Sequence, residues 1–348
     1  MRSLAVLSGV YGAGLILAAC TEQNPIEPYT SASPAQAAGG TYTAVDLGTL
    51  GGSYSGALGI NSAGQVVGYS VTPDGSEIHA FLWEKGSMTD IGTLGGNFSR
   101  AFDVNPAGQV VGGSTTAEGE SHAYRWDKGV MTDLGTLGGE FSEAFGINPT
   151  GEVVGESLTA AGKTHAFLWA KSVMTDLGAL GGTFSQAWGI NPAGQVVGRF
   201  LPVGAEEGDE EHEAAYHAFI WSNGVMTDLG TLGGARSEAY DINTAGQVVG
   251  TSRTSAGELH AFLWDKGVMT DLGTLTGGFS AAFGINSRGQ VVGNSESRAF
   301  VWENGVMTDL GTLGGSFGQA FAINSEGQVA GESETESGDT HPTLWTPN

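Results

Sequence analysis

Cysteine is nearly missing from this chain of 348 residues. The single Cys20 allows no intrachain disulfide, so the fold is held by packing and hydrogen bonding alone. Basic residues are scarce as well. Thirteen Lys and Arg stand against 37 Asp and Glu, a net charge of −24, and such a surface repels nucleic acid and anionic membranes. Cationic partners, divalent ions and neutral ligands such as glycans remain compatible with it. No set of nucleophile, base and oxyanion donor is recognisable. The one long apolar run, Leu4 to Leu17, is too short and too rich in Gly for a stable membrane span.

What the chain has instead is internal repetition. Six of its eight tryptophans are followed seven residues later by an Asp within DLG or DIG. These aspartates and one before the first tryptophan are Asp46, Asp90, Asp133, Asp176, Asp228, Asp271 and Asp309, at steps of 44, 43, 43, 52, 43 and 38 residues. A period near 40 to 45 marks a solenoid, a propeller or an array. From each Asp to the Asn of a GIN-type tripeptide is always 15 residues, and a Gly follows three residues later in all seven copies. Nearly every insertion or deletion falls in one loop, between that Gly and the next tryptophan.

Each copy reads as four short strands. In the third copy they are SEAFGIN at 142 to 148, EVVGESL at 152 to 158, HAFLW at 165 to 169 and VMTDLG at 173 to 178, rich in β-formers and separated by turn residues. Asn148-Pro149-Thr150-Gly151 has the preferences of a type I turn, and the third connection is equally short, so both join antiparallel neighbours. In the sixth copy the second and third strands and their connection have only VVGNSESRAFVW at 291 to 302, too few residues to leave one sheet and begin another. The crossing between sheets is therefore GTLGG, where six or seven extended residues at ~3.3 Å each span about three gaps of ~4.8 Å.

The termini fix the phase. The seventh copy ends at Leu344-Trp345-Thr346-Pro347-Asn348 without a fourth strand, whereas residues 41 to 48, TYTAVDLG, are a fourth strand with no copy before them. Pairing the two removes open edges. The expected fold is an all-β, seven-bladed β-propeller with four antiparallel strands per blade, in which strand 41–48 completes the last blade. It occupies residues 41–348 and is expected to be monomeric.

His-Ala-Phe at 79 to 81, 165 to 167, 217 to 219 and 260 to 262, together with DLGTLGG and INxxGQVVG, resembles the bacterial extracellular repeats of the HAF type. The resemblance covers residues 41 to 345 and implies no catalytic residues. Copy two departs to His-Ala-Tyr, copy six to Arg-Ala-Phe and copy seven to His-Pro-Thr, so the histidine is not required in every copy.

Arg2, the apolar run and Leu17-Ala18-Ala19-Cys20 resemble a bacterial lipoprotein leader over residues 1–19, in which Cys20 is lipidated. Thr21 follows where an inner-membrane retention signal has Asp, so the resemblance implies an outer-membrane anchor, facing the periplasm or the medium. Residues 20–40 carry the lipid and then a Pro/Ser/Ala-rich tether, expected to be disordered.

Most repeated polar residues have structural readings. The seven Asn suit turns, the seven Asp suit acceptors for amides of the crossing, and the histidines alternate with Phe and Trp on a half-buried face. GTLGG lacks the Lys and following helix of a phosphate loop. Two places break the repeat. Copy four has an extended loop in which Glu206, Glu207, Asp209, Glu210, Glu211 and Glu213 surround His212, a candidate Ca²⁺ site without the spacing of strong calcium loops. Copy five has Arg236 where the others have Tyr54, Phe98, Phe141, Phe184, Phe279 and Phe317. Both lie on connections leaving one face, which makes His212 and Arg236 candidate ligand residues. The chain reads as a lipid-anchored binding or scaffold module for a protein or glycan, with no required cofactor. The alternative is a lyase or glycosidase acting on polysaccharide.

Overall fold

Short runs of Val, Phe, Trp and Thr closed by turn residues form strands, and among the described residues there is no helix. The computed structural model describes residues 42–205 and 214–348. The expectations for Cys20, for the segments 1–19 and 20–40, and for Glu206, Glu207, Asp209, Glu210, Glu211, His212 and Glu213 fall outside them.

Every copy makes four antiparallel neighbours. In copy one these are Ser55–Ile60, Val66–Val71, Ile78–Glu84 and Ser87–Asp90. In copy three they are Gly138–Ile147, Val153–Thr159, Thr164–Ala170 and Val173–Asp176. Copy seven takes three strands from the end of the chain, Gly314–Ile323, Val329–Thr335 and Thr340–Pro347, and its fourth, Tyr42–Asp46, from the beginning. The register there runs from Tyr42 opposite Pro347 to Asp46 opposite Thr343. Single parallel pairs, Ile78 with Phe98 and Ser121 with Phe141, connect copies one to two and two to three.

The Val-Val pair of the second strands, Val329-Ala330 in copy seven, shows why the copies stack. Successive side chains point to opposite faces of a strand. Val66 packs with Ala330 and Leu344 of copy seven, while Val67 packs with Ala101, Val104 and Tyr124 of copy two. Both valines are fully buried, as are Phe81, Phe167, Phe219, Phe262 and Phe300 of the His-Ala-Phe strands. Burying each such ring stabilises the fold by about 1.5–3 kcal/mol. The Gly that follows each Val-Val has no alternative: a Cβ on Gly68 would lie 1.9 Å from the Gly56 carbonyl oxygen. That close approach accompanies a bulge in the first strand between Ala57 and Gly59.

The first strands touch one another in order around the molecule, and that of copy seven returns against that of copy one. At their carboxyl ends seven asparagines form a continuous chain of bonds. Asn61 Nδ2 donates to the Asn105 carbonyl at 2.9 Å, and so on through Asn148, Asn191, Asn243 and Asn286, until Asn324 Nδ2 donates to the Asn61 carbonyl at 3.1 Å. The same Asn61 also organises its turn, its Oδ1 accepting the amides of Ala63 and Gln65 at 3.0 Å each. A turn residue by sequence is thus also the joint between copies.

Candidate functional site

The His-Ala-Phe motif resolves into three structural tasks. Its His reaches from the third strand to the Asp of the fourth: His79 Nδ1 lies 2.7 Å from Asp90 Oδ2, and His122, His165, His217 and His260 repeat the pair at 2.8 Å. The other carboxylate oxygen of Asp90 accepts the Gly92 amide at 2.7 Å, so one aspartate fastens the outer strand and starts the crossing. The Ala amide crosses to the following copy, as in Ala80 N to Ser99 Oγ at 2.8 Å. The Phe fills the core. Copy six keeps the contact with Arg298 Nη1 2.6 Å from Asp309 Oδ2, which explains why its histidine is dispensable.

The opposite end of the first strands, beside the GTLGG crossings, is where the copies differ. Five residues before each Asn, and at the residue facing it on the second strand, the pairs are Gly56–Tyr69, Arg100–Gly113, Glu143–Glu156, Gln186–Arg199, Glu238–Thr251, Ala281–Asn294 and Gln319–Glu332. No two are alike. Between this level and the Asn turns stand Leu58, Phe102, Phe145, Trp188, Tyr240, Phe283 and Phe321, with ring centroids 4.8–5.6 Å apart where neighbours meet. At the Asn end itself a cavity of ≈ 270 Å³ is lined by residues of all seven copies, chiefly isoleucines, asparagines and turn residues.

Arg236, two residues nearer the crossing, reaches into this varied level. Its Nε donates to Glu238 Oε1 at 2.9 Å, Arg199 Nη1 reaches the same oxygen at 3.1 Å, and the Tyr240 hydroxyl donates to Oε2 at 2.9 Å. Burial alone raises the Glu238 carboxyl, but the two guanidinium groups outweigh it and hold the group below its ordinary value. Arg199 also lies over Tyr216, Trp188 and Phe184, at 4.4, 5.0 and 5.4 Å from the ring centroids. The structure thus brings Arg236 together with Arg199 and Glu238, residues that the sequence did not single out.

The remaining acids behave differently. Burial pushes Glu143 up to about 7, with Arg100 opposing it. Burial also pushes Glu156 up to about 8, with Glu143 adding and Arg199 opposing. Glu332 rises to about 7 for the same reason, against a hydrogen bond from Tyr54 and the charge of Arg100. Deeper along the first strands, burial lifts Asp103 to about 6 and Asp241 to about 7, although each accepts two backbone amides. Near neutrality this level can therefore present acids that are protonated alongside guanidinium groups. The signal in the sequence was the mismatch between copies at two otherwise interior positions.

No protein-family model matches the chain, and no curated protein matches it by sequence. Solved structures do. The β-propeller domain of the Trilobed protease from Pyrococcus furiosus, described as having an open velcro topology, aligns with a TM-score of 0.59 at 10% identity, over 85% of this chain and 96% of that one. A puromycin-hydrolyzing peptidase of Mycobacterium tuberculosis aligns with a TM-score of 0.54 at 11% identity, over 90% of this chain. The chain spans about half of that peptidase, 54% of its length. TolB from Acinetobacter baumannii aligns at a TM-score of 0.43 and 12% identity, over 81% of this chain and 80% of that one. With its antiparallel four-stranded repeats and the likeness to the Pyrococcus furiosus β-propeller domain, the chain has an all-β fold of the β-propeller kind.

Proposed function

We propose that the protein is a closed seven-bladed β-propeller of the HAF-repeat type, anchored to the bacterial outer membrane through lipid on Cys20. In this reading it serves as a binding or scaffold module for a protein or glycan. The face beside the GTLGG crossings is the binding face. One observation carries this reading: the copies are nearly uniform along their core and at the Asn end, and diverge at the paired positions behind that face. A fold built by repetition needs no such divergence. A ligand that contacts each copy differently does.

The test is site-specific photo-crosslinking in envelope extracts, with a benzophenone side chain at Phe141, half-buried at the crossing end, or at Pro149, exposed at the Asn end. Crosslinked partners from position 141 and none from position 149 are expected. Crosslinks from 149 alone, or from neither, contradict the reading.

A second reading, a lyase or glycosidase acting on polysaccharide, draws on Glu143 directly facing Glu156. Two carboxyls raised to about 7 and about 8 include an acid that stays protonated near neutrality. Release of reducing ends or unsaturated products from polysaccharide, lost in Glu156→Gln, is its test.

A further inference from the structure

We propose that the end of the molecule bearing the asparagine chain is the face that rests on the bilayer, docking on lipid head groups through a rim of lysines and exposed valines. The inference goes beyond the binding face proposed above and rests on the lipid anchor at Cys20.

The third strands run in the same direction as the first, so the turns that follow them also stand at the Asn end. Gln109, beside the Asn105 turn, donates to Asp127 Oδ2 at 3.0 Å, one residue before Lys128. Four of the chain's five lysines, Lys85, Lys128, Lys171 and Lys266, occupy these turns. The backbone does not ask for lysine there. All four have φ between 49° and 51°, in the left-handed region that suits Asn or Gly, and copies four and six do carry Asn223 and Asn304.

An exposed apolar side chain follows each turn in five copies. Val130, Val173, Val225, Val268 and Val306 are 61–64% exposed, and they are five of the seven large apolar side chains that the described residues leave in the open. Strand propensity does not require them. Thr132, Thr175, Thr227 and Thr270, two residues on and on the same side of the strand, are equally β-forming and exposed, yet carry a hydroxyl.

Charge separates the two ends. The seven repeated aspartates finish the fourth strands at the crossing end, the variable loops add carboxylates such as Glu118, Glu120 and Glu258, and the only lysine there is Lys163. At the Asn end six carboxylates, Glu84, Asp127, Glu152, Asp265, Glu303 and Glu326, meet five cations, the four lysines and Arg288. Lipid phosphates repel the first end and not the second. There an ammonium group on its long stem can pair with a phosphate while the valine beside it enters the interface.

The chain also joins the fold at this end. Tyr42 lies opposite Pro347, and strand Tyr42–Asp46 runs from there toward the crossing. Pro347 borders the Asn324 turn, since a Cβ on Gly327 would lie 3.8 Å from its Cγ. A lipid on Cys20 therefore draws the Asn end, and not the crossing end, toward the membrane.

The experiment places a fluorophore on the full, lipidated protein through Val130→Cys, Val268→Cys, Ala117→Cys or Ser255→Cys, singly. The lipid occupies the sulfur of Cys20, the one native cysteine, so each variant takes a single label. The protein is bound to vesicles of phosphatidylethanolamine and phosphatidylglycerol that carry a lipid spin-labelled at its head group. Strong quenching is expected at positions 130 and 268, and less than about a tenth of it at 117 and 255, because a seven-residue strand holds the two ends about 20 Å apart. Joint replacement Lys85→Asn, Lys128→Asn, Lys171→Asn and Lys266→Asn suits the left-handed turns and keeps the fold. It should lower the quenching at least about fivefold, the contribution of a single lysine near an anionic leaflet, while palmitate and sedimentation with vesicles persist. Equal quenching at both ends, quenching at 117 and 255 alone, none at any position, or quenching unchanged in the quadruple variant overturns the proposal. With palmitate present on the wild type, any of those results removes the docking face and leaves the anchor standing. Label taken up by wild-type Cys20, without palmitate, removes the anchor and the docking face together.

Discussion

His341 Nδ1 lies 2.7 Å from Asp46 Oδ2, although 295 residues separate the two in the chain. It is the His–Asp contact that five other copies make internally, here shared between the last copy and the first strand. Asp46 also accepts the Gly48 amide at 2.8 Å, so the strand that starts the chain carries the full set of bonds of a fourth strand. The pair is more enclosed than its counterparts, with side chains 11% and 19% exposed against 15% and 42% for His79 and Asp90.

Replacing His341 by Gln should therefore destabilise the fold by about 1–2 kcal/mol, and His79→Gln by less than about 1 kcal/mol. The hydrogen bond to Asp46 raises the His341 pKa above its ordinary value. A raised histidine contributes stability fully below its unfolded pKa and loses it as pH rises through the folded one. The difference between wild type and His341→Gln, read from urea titrations, should accordingly be larger at pH 5.5 than at pH 8.5. Equal differences at both pH values contradict the assignment.

The asparagine ring separates into two functions by a single substitution. Asn105→Asp keeps the acceptor for the amides of Ala107 and Gln109, but loses the donors to the Asn148 carbonyl and to Gln109 Oε1. Asn105→Ala loses both. The first should cost about 1–3 kcal/mol through the lost donors, and the second at least as much, with the turn also loosened. Hydrogen exchange at the turn amides checks this: fast exchange in Asn105→Ala only.

Buried acids at the varied level, with Asp241 deeper along the first strands, give a second pH dependence. Glu143, Glu156, Glu332 and Asp241 have pKa values of about 7, 8, 7 and 7 in the fold. A raised carboxyl contributes its stability below the unfolded pKa of about 4.3 and loses it as pH climbs through the folded value. The melting temperature should fall between pH 5 and pH 9, and the triple variant Glu143→Gln, Glu156→Gln, Glu332→Gln should flatten that fall. A slope unchanged in the triple variant excludes these residues as its source.

Arg125 occupies a third-strand position held elsewhere by Leu82, Leu168, Ile220, Leu263, Val301 and Leu344, and its Nε is buried without a partner among the described residues. Its guanidinium stacks 5.0 Å from the Trp169 ring centroid. Arg125→Leu restores the repeat residue and removes the unpaired donor. Thermal unfolding should show stabilisation of about 1–2 kcal/mol; destabilisation indicates that the stacking on Trp169 outweighs the cost of the unpaired donor.

The lipid anchor proposed at Cys20 predicts that wild-type protein incorporates labelled palmitate and sediments with membranes, while Cys20→Ser does neither. Unlabelled, freely soluble wild type contradicts it.

Local chemistry was legible in the sequence wherever it repeats. The Asp before each crossing accepts the amide two residues on, and the Asn shapes its own turn; both depend on neighbours in the chain and show in every copy. The second partner of each was hidden. His79 meets Asp90 through the register of two strands, and Asn61 meets Asn105 through the packing of two copies, neither of which a spacing reveals. The varied level escaped for the opposite reason. Arg100, Glu143 and Arg199 stand at interior positions without a motif, and only aligning the copies with one another exposes them. Arg236 was visible because it replaces an aromatic residue at a rim where the others agree.

The most direct test of the architecture compares two deletions by thermal unfolding and light scattering. Removing residues 41–48 takes away the strand paired with Thr340–Pro347 and leaves His341 without Asp46. A sharply lowered melting temperature or aggregation is predicted for that deletion, and neither for removal of residues 21–40. Identical melting curves for the two would contradict closure of the seventh copy by the first strand.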